Sequence, residues 1–211
     1  GLRTRALTRV WHDSDTLFTY MLERAPGSHL ANLNLGAVRK AAVGTERDPA
    51  RRRELLAEAM RLFERGLERR RTPRLLVNLA DSHAVLARFP DEPRAPNLAR
   101  AVELAREAVA VAEARGRPDP ELRLRLGRYL FGAGQPAAAA REFEAYVGVH
   151  PERAEAWFFL AQSREAAGDR DGARDAYEEV LRRDGTHAPS AERLRALRGG
   201  APAGTMGRPN G

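Results

Sequence analysis

Two stretches of the chain carry one pattern of residue types, LGRYLFGAGQPAAAAREFEAYVGVHP at residues 126–151 and LAQSREAAGDRDGARDAYEEVLRRDG at residues 160–185. Equivalent positions in the two stretches lie 34 residues apart. Each stretch has a Leu, a small residue beside it, a glycine, a second small residue and an aromatic residue, which in the first stretch are Leu126, Gly127, Gly134, Ala139 and Phe143. Apolar residues recur at helical spacing on both sides of the glycine, which predicts two helices joined by a tight turn.

The spacing has a physical cause. Small residues are needed where two helix backbones approach closely, and larger side chains fill the space beside them. Gly134 and Gly168 would end the first helix of each pair in a left-handed conformation, and Asp169 would cap the helix that follows. The pattern resembles the tetratricopeptide repeat (TPR), a helical hairpin that stacks on copies of itself. The resemblance implies an all-α fold, a TPR-type right-handed superhelical solenoid of helical hairpins.

The same pattern recurs upstream with interruptions. The two small residues of a hairpin are 12 apart in the clean repeats, but 23 apart between Gly36 and Ala59 and 21 apart between Ala80 and Ala101. The excess predicts inserted segments at about residues 44–53 and 89–97. Gly and Pro in these segments indicate loops, with the alternative that part of each insert extends a helix.

These patterns predict three regions. Residues 1–15 would be a junction segment, residues 16–198 a TPR array and residues 199–211 a disordered tail rich in Gly, Ala and Pro. The array would contain a half repeat at 16–27, full repeats at about 28–71, 72–117, 118–151 and 152–185, and a capping helix at 187–198. Ser14 or Asp15 would cap the first helix.

The charge balance of the chain is strongly basic. The 211 residues include 36 Lys and Arg, the formal net charge is +7 and the pI is about 10.7. A nucleic-acid partner would account for such a balance. However, Lys40 is the only lysine, and arginines alternate with acidic residues on helix faces, as in Arg61, Glu64, Arg65 and Glu68. Because this alternation is typical of a solvated helix, we do not expect a nucleic-acid partner.

The chain offers little for catalysis or for membrane insertion. It has no cysteine, no Gly-rich phosphate loop and five histidines without metal-ligand spacing. The segment from His12 to Asp15 contains the residue types of a catalytic triad. Residues this close in sequence rarely adopt the geometry that a triad requires. We therefore expect no catalytic residue, metal or cofactor. No stretch reaches the roughly 18 apolar residues of a membrane helix, so we expect no membrane insertion by this chain.

The first helix of each predicted hairpin has a second face that a ligand could use. Read at i, i+3, i+7 and i+10, this face carries an apolar second member in every repeat. The pattern predicts an apolar line with a charged rim, a groove for a protein or peptide ligand. The alternative is that these residues are half-buried between neighbouring helices. The predicted groove residues are Leu33, Lys40, Arg74, Val77, Asn78, Asp81, Leu124, Arg125, Arg128, Phe131, Phe158 and Gln162.

Two asparagines raise a more specific possibility. Asn34 and Asn78 come just before the Leu-small pairs of their repeats. Some TPR co-chaperones hold a C-terminal carboxylate with Asn and Lys in this region of the helix. The resemblance implies Lys40 as the only such lysine here, with arginines at 74, 125 and 128 able to substitute in charge. The alternative is that Asn is simply common at this position of TPR sequences.

The segment from Arg5 to Gly36 resembles a narrower family, the transmembrane-and-TPR-containing O-mannosyltransferases and their bacterial relatives. In that family such a segment joins a membrane glycosyltransferase domain to the TPRs that complete the chain. The resemblance implies a soluble C-terminal domain on the extracytoplasmic face, with its parent anchored in the membrane and any transferase chemistry upstream. It rests on Arg5, Trp11, Asp13-Ser14, Leu17-Phe18, Leu22, Pro26, Ala31 and Asn34-Leu35-Gly36.

These observations predict a protein–protein interaction scaffold, not an enzyme. The first hypothesis is the soluble domain of a membrane glycosyltransferase-like protein. The alternative is a freestanding TPR adaptor of chaperone or secretion type, which would be cytoplasmic.

Overall fold

The computed structural model describes residues 14–199, and every regular element in that range is an α-helix. This confirms the predicted all-α fold class. The range contains ten helices: α1 (Ser14–Arg24), α2 (His29–Ala42), α3 (Pro49–Arg69), α4 (Pro73–Leu86), α5 (Arg94–Ala114), α6 (Pro120–Gly132), α7 (Pro136–Val149), α8 (Ala154–Ala166), α9 (Arg170–Arg183) and α10 (Ala188–Gly199).

The chain divides into two compact units between Gly134 and Gln135. In the first unit each of the helices α1 to α5 packs on the next along the chain, the last of these contacts being between α5 and α6. In the second unit α8 packs on α7 and on α9, and α10 packs on α9. Within residues 14–199 no helix has both the length and the apolar content needed to cross a bilayer.

Short polar side chains and prolines fix where the helices begin. The side chains of Ser28, Asp48, Thr72 and Asp119 each accept a hydrogen bond from a backbone N–H in the first turn of the helix that follows. Asp169 does the same for α9 at 2.9 Å, as predicted. Prolines stand in the first turn of α3, α4, α6 and α7, where a missing N–H costs nothing.

The turns and contacts of the hairpins also follow the predicted register. Gly134 and Gly168 have φ of 73° and 86°, the left-handed conformation expected at the end of a first helix. In the hairpin of α2 and α3, a Cβ added to Gly36 would lie only 2.5 Å from Cε1 of the buried Phe63 ring. In the hairpin of α8 and α9, Ala161 and Ala173 are fully buried. Small residues therefore stand where helices approach closely.

The inserted residues mostly lengthen helices. Helices α3 and α5 each have 21 residues, whereas α2 and α4 have 14. The prediction of loop is therefore wrong for residues 49–53 and 94–97, and the alternative of extended helices is correct there. Asp48 caps α3 ahead of Pro49, and Pro96 falls in the first turn of α5, a position that proline tolerates. Residues 44–48 and 87–93 remain as connections.

Two predictions fall largely outside the described residues. The junction at 1–15 is described only from Ser14 onward, and the disordered tail at 199–211 only at Gly199. Asp15 lies inside the first turn of α1, where its carboxylate accepts from the Thr19 hydroxyl and pairs with Arg39. The prediction of Ser14 or Asp15 as the helix cap is therefore wrong, because the helix begins at Ser14 and contains both residues.

Candidate functional site

A groove of about 900 Å³ opens in the first unit beside the C-terminal halves of α2, α4 and α6. The N-terminal turns of α3 and α5 and the connections before them form its other wall. We call this cavity the basic groove, because its lining carries six cationic side chains and one acidic side chain. These are Lys40, Arg52, Arg88, Arg94, Arg125 and Arg128, with Asp81.

Asp81 forms the polar centre of the basic groove. Its carboxylate lies 2.9 Å from Lys40 Nζ and 2.9 Å from Arg125 Nη1, and the Tyr129 hydroxyl donates a hydrogen bond to it. Lys40 Nζ also donates to Asn78 Oδ1 at 2.7 Å. The lysine is on α2, the aspartate on α4, and the arginine and tyrosine on α6. One carboxylate thus ties together the first helices of three successive hairpins.

The surroundings of Asp81 keep it ionised. Burial alone would raise the pKa of this carboxyl group, but the Lys40 charge, the Tyr129 hydroxyl and Arg125 outweigh that effect. The pKa of Asp81 therefore lies below its ordinary value. Burial and the neighbouring Asp81 raise the pKa of Tyr129, which keeps the phenol protonated as a donor. The groove consequently contains a fixed anion that is already neutralised by its own chain.

This arrangement bears on the carboxylate hypothesis. Lys40 and Arg125 already contact Asp81, and the side-chain amide of Asn78 donates to the Arg74 carbonyl at 2.8 Å. A ligand carboxylate at this place would have to displace Asp81 from its partners. Asn34 is half-buried on α2. The carboxylate clamp stays a prediction. Two of the cations expected to form it, Lys40 and Arg125, are paired with Asp81.

The predicted apolar line is interrupted by burial. Leu33 is 4% exposed and Val77 is 9% exposed, so both side chains belong to the core between successive hairpins. Leu124 is half-buried, and Phe131 is 38% exposed on the same helix. Leu33 and Val77 were predicted to offer apolar contacts to a ligand, but their side chains have little open surface for such contacts. Bulk at these positions fills the space between helices, as the alternative interpretation expected.

Arg74, another predicted groove residue of the first unit, lies near the N-terminal ends of the helices and not near the C-terminal halves that line the basic groove. Arg74 is exposed and lines a smaller cavity of about 400 Å³, together with Leu30, Leu33 and Leu122. That cavity adjoins the N-terminal ends of α2, α4 and α6. The predicted first-unit residues therefore do not share one site: four line the basic groove, Arg74 lines the smaller cavity, Leu33 and Val77 are buried, and Asn78, Leu124 and Phe131 line neither cavity.

In the second unit, Phe158 is mainly a packing residue. Its ring lies 6.1 Å from the Tyr177 ring and 4.7 Å from the His187 ring, measured between centroids. It thereby joins α8 to α9 and to the segment before α10. Gln162 is half-buried one turn further along α8. Within residues 14–199 no group of three or more His, Asp or Glu side chains could hold a metal ion.

Sequence reasoning missed part of the basic groove. Arg52, Arg88 and Arg94 lie on the insert side, whereas the predicted stripes covered only the first helices of the hairpins. Tyr129 was also missed, because it lies on the packing side of α6. The available signal was the cluster of arginines around Pro90 and Pro93, which places positive charge on an insert.

Comparisons with known proteins agree with this architecture. A family model described as tetratricopeptide repeat matches residues 124–188. The TPR repeat-containing protein PA0015 of Pseudomonas aeruginosa is 36% identical over 74 residues, which are 35% of this chain and 70% of that protein. The solved structure of YrrB, described as a TPR protein with an unusual peptide-binding site, has a TM-score of 0.67 at 18% identity, covering 92% of this chain and 86% of YrrB.

A second solved structure is that of TTC0263, a thermophilic TPR protein in Thermus thermophilus. It has a TM-score of 0.58 at 18% identity and covers 93% of this chain and 94% of that one. At these identities the two structures show likeness of fold. The repeat register and the hairpin packing agree with the match to the repeat family and with the similarity to PA0015. The chain belongs to the tetratricopeptide-repeat proteins.

Proposed function

We propose that this chain is a protein–protein interaction module that binds an extended segment of a partner protein in the basic groove. The observation that carries the proposal is the groove itself, an open cavity of about 900 Å³ with charged residues beside apolar ones. The fold likeness to YrrB, whose structure is described as containing a peptide-binding site, supports it. Clefts of this size with a few fixed polar groups are typical binding sites.

The groove lining offers a ligand two kinds of contact, charged and apolar. Arg88 and Arg94 are exposed at the rim, where they would speed the encounter with a charged partner. Half-buried Ala84 and Val85 offer apolar surface inside the groove, which would slow dissociation. Leu124 and Phe131 on α6 would extend this apolar surface beyond the groove.

Site-specific photo-crosslinking tests the proposal. A benzoylphenylalanine replaces Ala84, which lines the groove, or Phe131, and the full chain is irradiated in cells that naturally make it. The matched control places the same group at Arg106, exposed on α5 and outside the groove lining. We expect a discrete cross-linked protein from Ala84 in the groove and from Phe131 beyond its lining on α6, and none from Arg106. Identical products from all three positions would show that the groove is not the interaction site.

We further propose that the module belongs to a larger membrane glycosyltransferase-like protein, on its extracytoplasmic side. Support comes from the residue pattern between Arg5 and Gly36, which resembles the junction segment of that family. Part of that pattern has a simpler cause, because Leu35 is buried in the repeat core and Gly36 packs against Phe63. Upstream gene sequence encoding several apolar membrane segments would agree with the proposal. A start codon shortly before Leu2 would contradict it and favour a freestanding adaptor.

A further inference from the structure

We infer that the partner segment held in the basic groove is acidic, a stretch of Asp or Glu interspersed with apolar residues. This inference rests on the proposed function and specifies its ligand. The groove lining has six cations against the single carboxylate of Asp81. Lys40 and Arg125 already balance that carboxylate, so the charge of the arginines on the insert side is not offset by any other acid in the described lining.

The inserts hold these arginines on a rigid wall. Phe89, in the second insert, lies beneath two guanidinium groups of the first, with Arg52 and Arg53 Cζ at 5.5 and 5.4 Å from the ring centroid. Arg53 also donates to Asp91 at 2.8 Å. Phe89 packs against a buried cluster that includes Leu55 and Leu56. Residues on such a wall lose little conformational freedom when a ligand binds.

The positions of Arg88 and Arg94 follow from this packing. Arg88 directly precedes the anchored Phe89, and Arg94 is the first residue of α5. Both side chains are exposed and line the groove. Arg88 is therefore held in the groove lining by its anchored neighbour Phe89, and Arg94 by its place at the start of α5. Acidic side chains of a bound segment would meet them there by charge complementarity.

The aromatic residues favour a peptide over a single-stranded nucleic acid. Non-specific nucleic-acid sites combine positive charge with aromatic faces on which bases stack. The aromatic rings in the described lining are Phe89 and Tyr129. Two arginines cover Phe89, and Tyr129 is buried with its hydroxyl on Asp81. Half-buried Ala84 and Val85 on the same groove wall suit leucine-like side chains.

A binding titration tests the inference. The probe is a short fluorescent peptide that alternates Glu and Leu, compared with its Lys-Leu counterpart and with an oligothymidylate of equal negative charge. The full chain is titrated at low and at moderate salt by fluorescence anisotropy. The test variant is Arg88→Glu/Arg94→Glu. The control, Arg106→Glu/Arg141→Glu, makes the same charge change at exposed positions outside the groove.

We expect the Glu-Leu peptide to bind the unaltered chain and the control variant with similar affinity. The test variant should bind it about tenfold more weakly at low salt, with a smaller difference at moderate salt. Equal weakening in both variants, or equal binding of the Lys-Leu peptide, would overturn the inference. If the oligothymidylate binds more tightly than the Glu-Leu peptide and Arg88→Glu/Arg94→Glu abolishes that binding, the inference of an acidic peptide is wrong and a nucleic-acid ligand is favoured.

The crosslinking experiment distinguishes the proposed function, binding of a partner protein in the groove, from the inference that the bound segment is acidic. If a partner protein still cross-links from Ala84 while the Glu-Leu peptide neither binds nor competes, the acidic ligand is wrong and the proposed function stands. If Ala84 yields no partner and no peptide binds, both fail. If the peptide binds and suppresses the cross-link, both are supported.

Discussion

Lys40 Nζ on α2 lies 2.9 Å from Asp81 Oδ2 on α4, so two successive hairpins are joined by an ion pair on the wall of the basic groove. Arg125 on α6 reaches the same carboxylate, also at 2.9 Å. Only 22% of the Asp81 side chain is exposed. In such surroundings the loss of one partner leaves the others buried without balance, which is costly. The carboxylate of Asp81 therefore links three hairpins and also neutralises part of the positive charge of the groove.

Replacing Asp81 should lower stability in a pH-dependent way. Asp81→Asn should reduce the free energy of unfolding by about 1–3 kcal/mol at neutral pH. The pKa of Asp81 is lower in the folded chain than its ordinary value, so its contribution is complete above the unfolded pKa, near 3.8, and is lost as pH falls through the folded pKa. Urea unfolding of the two proteins should thus converge in acid. Asp171→Asn, at a largely exposed carboxylate, is the control and should change stability far less. A gap in unfolding free energy that does not shrink as pH falls below 3.8 and through the lower folded pKa of Asp81 would contradict this account.

A methyl group at Gly36 should disrupt the hairpin of α2 and α3. Gly36→Ala places a Cβ 2.5 Å from the buried Phe63 ring, and such overpacking costs about 1–3 kcal/mol, more than the gain in helix propensity of about 1 kcal/mol. Gly148→Ala in α7 is the matched control, because nothing lies within 4 Å of its added Cβ. The melting temperature should fall for the first variant and rise for the second. Equal shifts would show that close packing at Gly36 is not needed.

Asn32 and Asn34 should behave oppositely although they are two residues apart. The Asn32 side chain is fully buried, and its amide donates to the carbonyls of Pro26 and Ser28 at 3.0 and 2.9 Å. Asn32→Ala should therefore cost about 1–3 kcal/mol, whereas Asn34→Ala, at a half-buried position, should cost about 0.5 kcal/mol or less. Chemical denaturation measures both. A larger loss at Asn34 would reverse the assignment of the structural asparagine.

Phe158 should matter more for stability than for binding. Phe158→Ala removes the ring contacts to Tyr177 and His187 and should cost roughly 2–3 kcal/mol in the second unit. Phe131→Ala, at a ring 38% exposed, should leave stability nearly unchanged and weaken the capture of a partner. Thermal unfolding and crosslinking yield from Ala84 distinguish the two effects. If Phe158→Ala melts like the unaltered chain, the assignment of that ring to the core is wrong.

The repeat could be predicted because each hairpin is specified locally. Gly134, Gly168 and Asp169 have the same roles in the structure as in the sequence pattern. The inserts were harder, since a proline such as Pro96 is compatible both with a loop and with the first turn of a helix. The predicted stripe stays a prediction; at Leu33 and Val77 little side-chain surface is open, because neighbours cover two faces of a first helix when they pack on both sides.

The site could be predicted only in part, because it depends on contacts between repeats. Lys40 and Asp81 are 41 residues apart in sequence, and Tyr129 is 48 residues beyond Asp81. No local pattern encodes such pairings. The sequence placed Lys40, Asp81, Arg125 and Arg128 on a common surface, but it did not indicate that the chain supplies its own carboxylate there. Arg88 and Arg94 were missed because their place depends on how one insert packs on the next.

Competition for the cross-link from Ala84 tests the central claim, that the basic groove holds an acidic partner segment, most directly. Ala84 lines the groove, so a photo-reactive group there reports its occupant. The account predicts one cross-linked partner protein whose yield falls when the Glu-Leu peptide is added or when Arg88→Glu/Arg94→Glu is introduced, and does not fall with Arg106→Glu/Arg141→Glu. A cross-link that is indifferent to the peptide and to the charge of the insert arginines would contradict it.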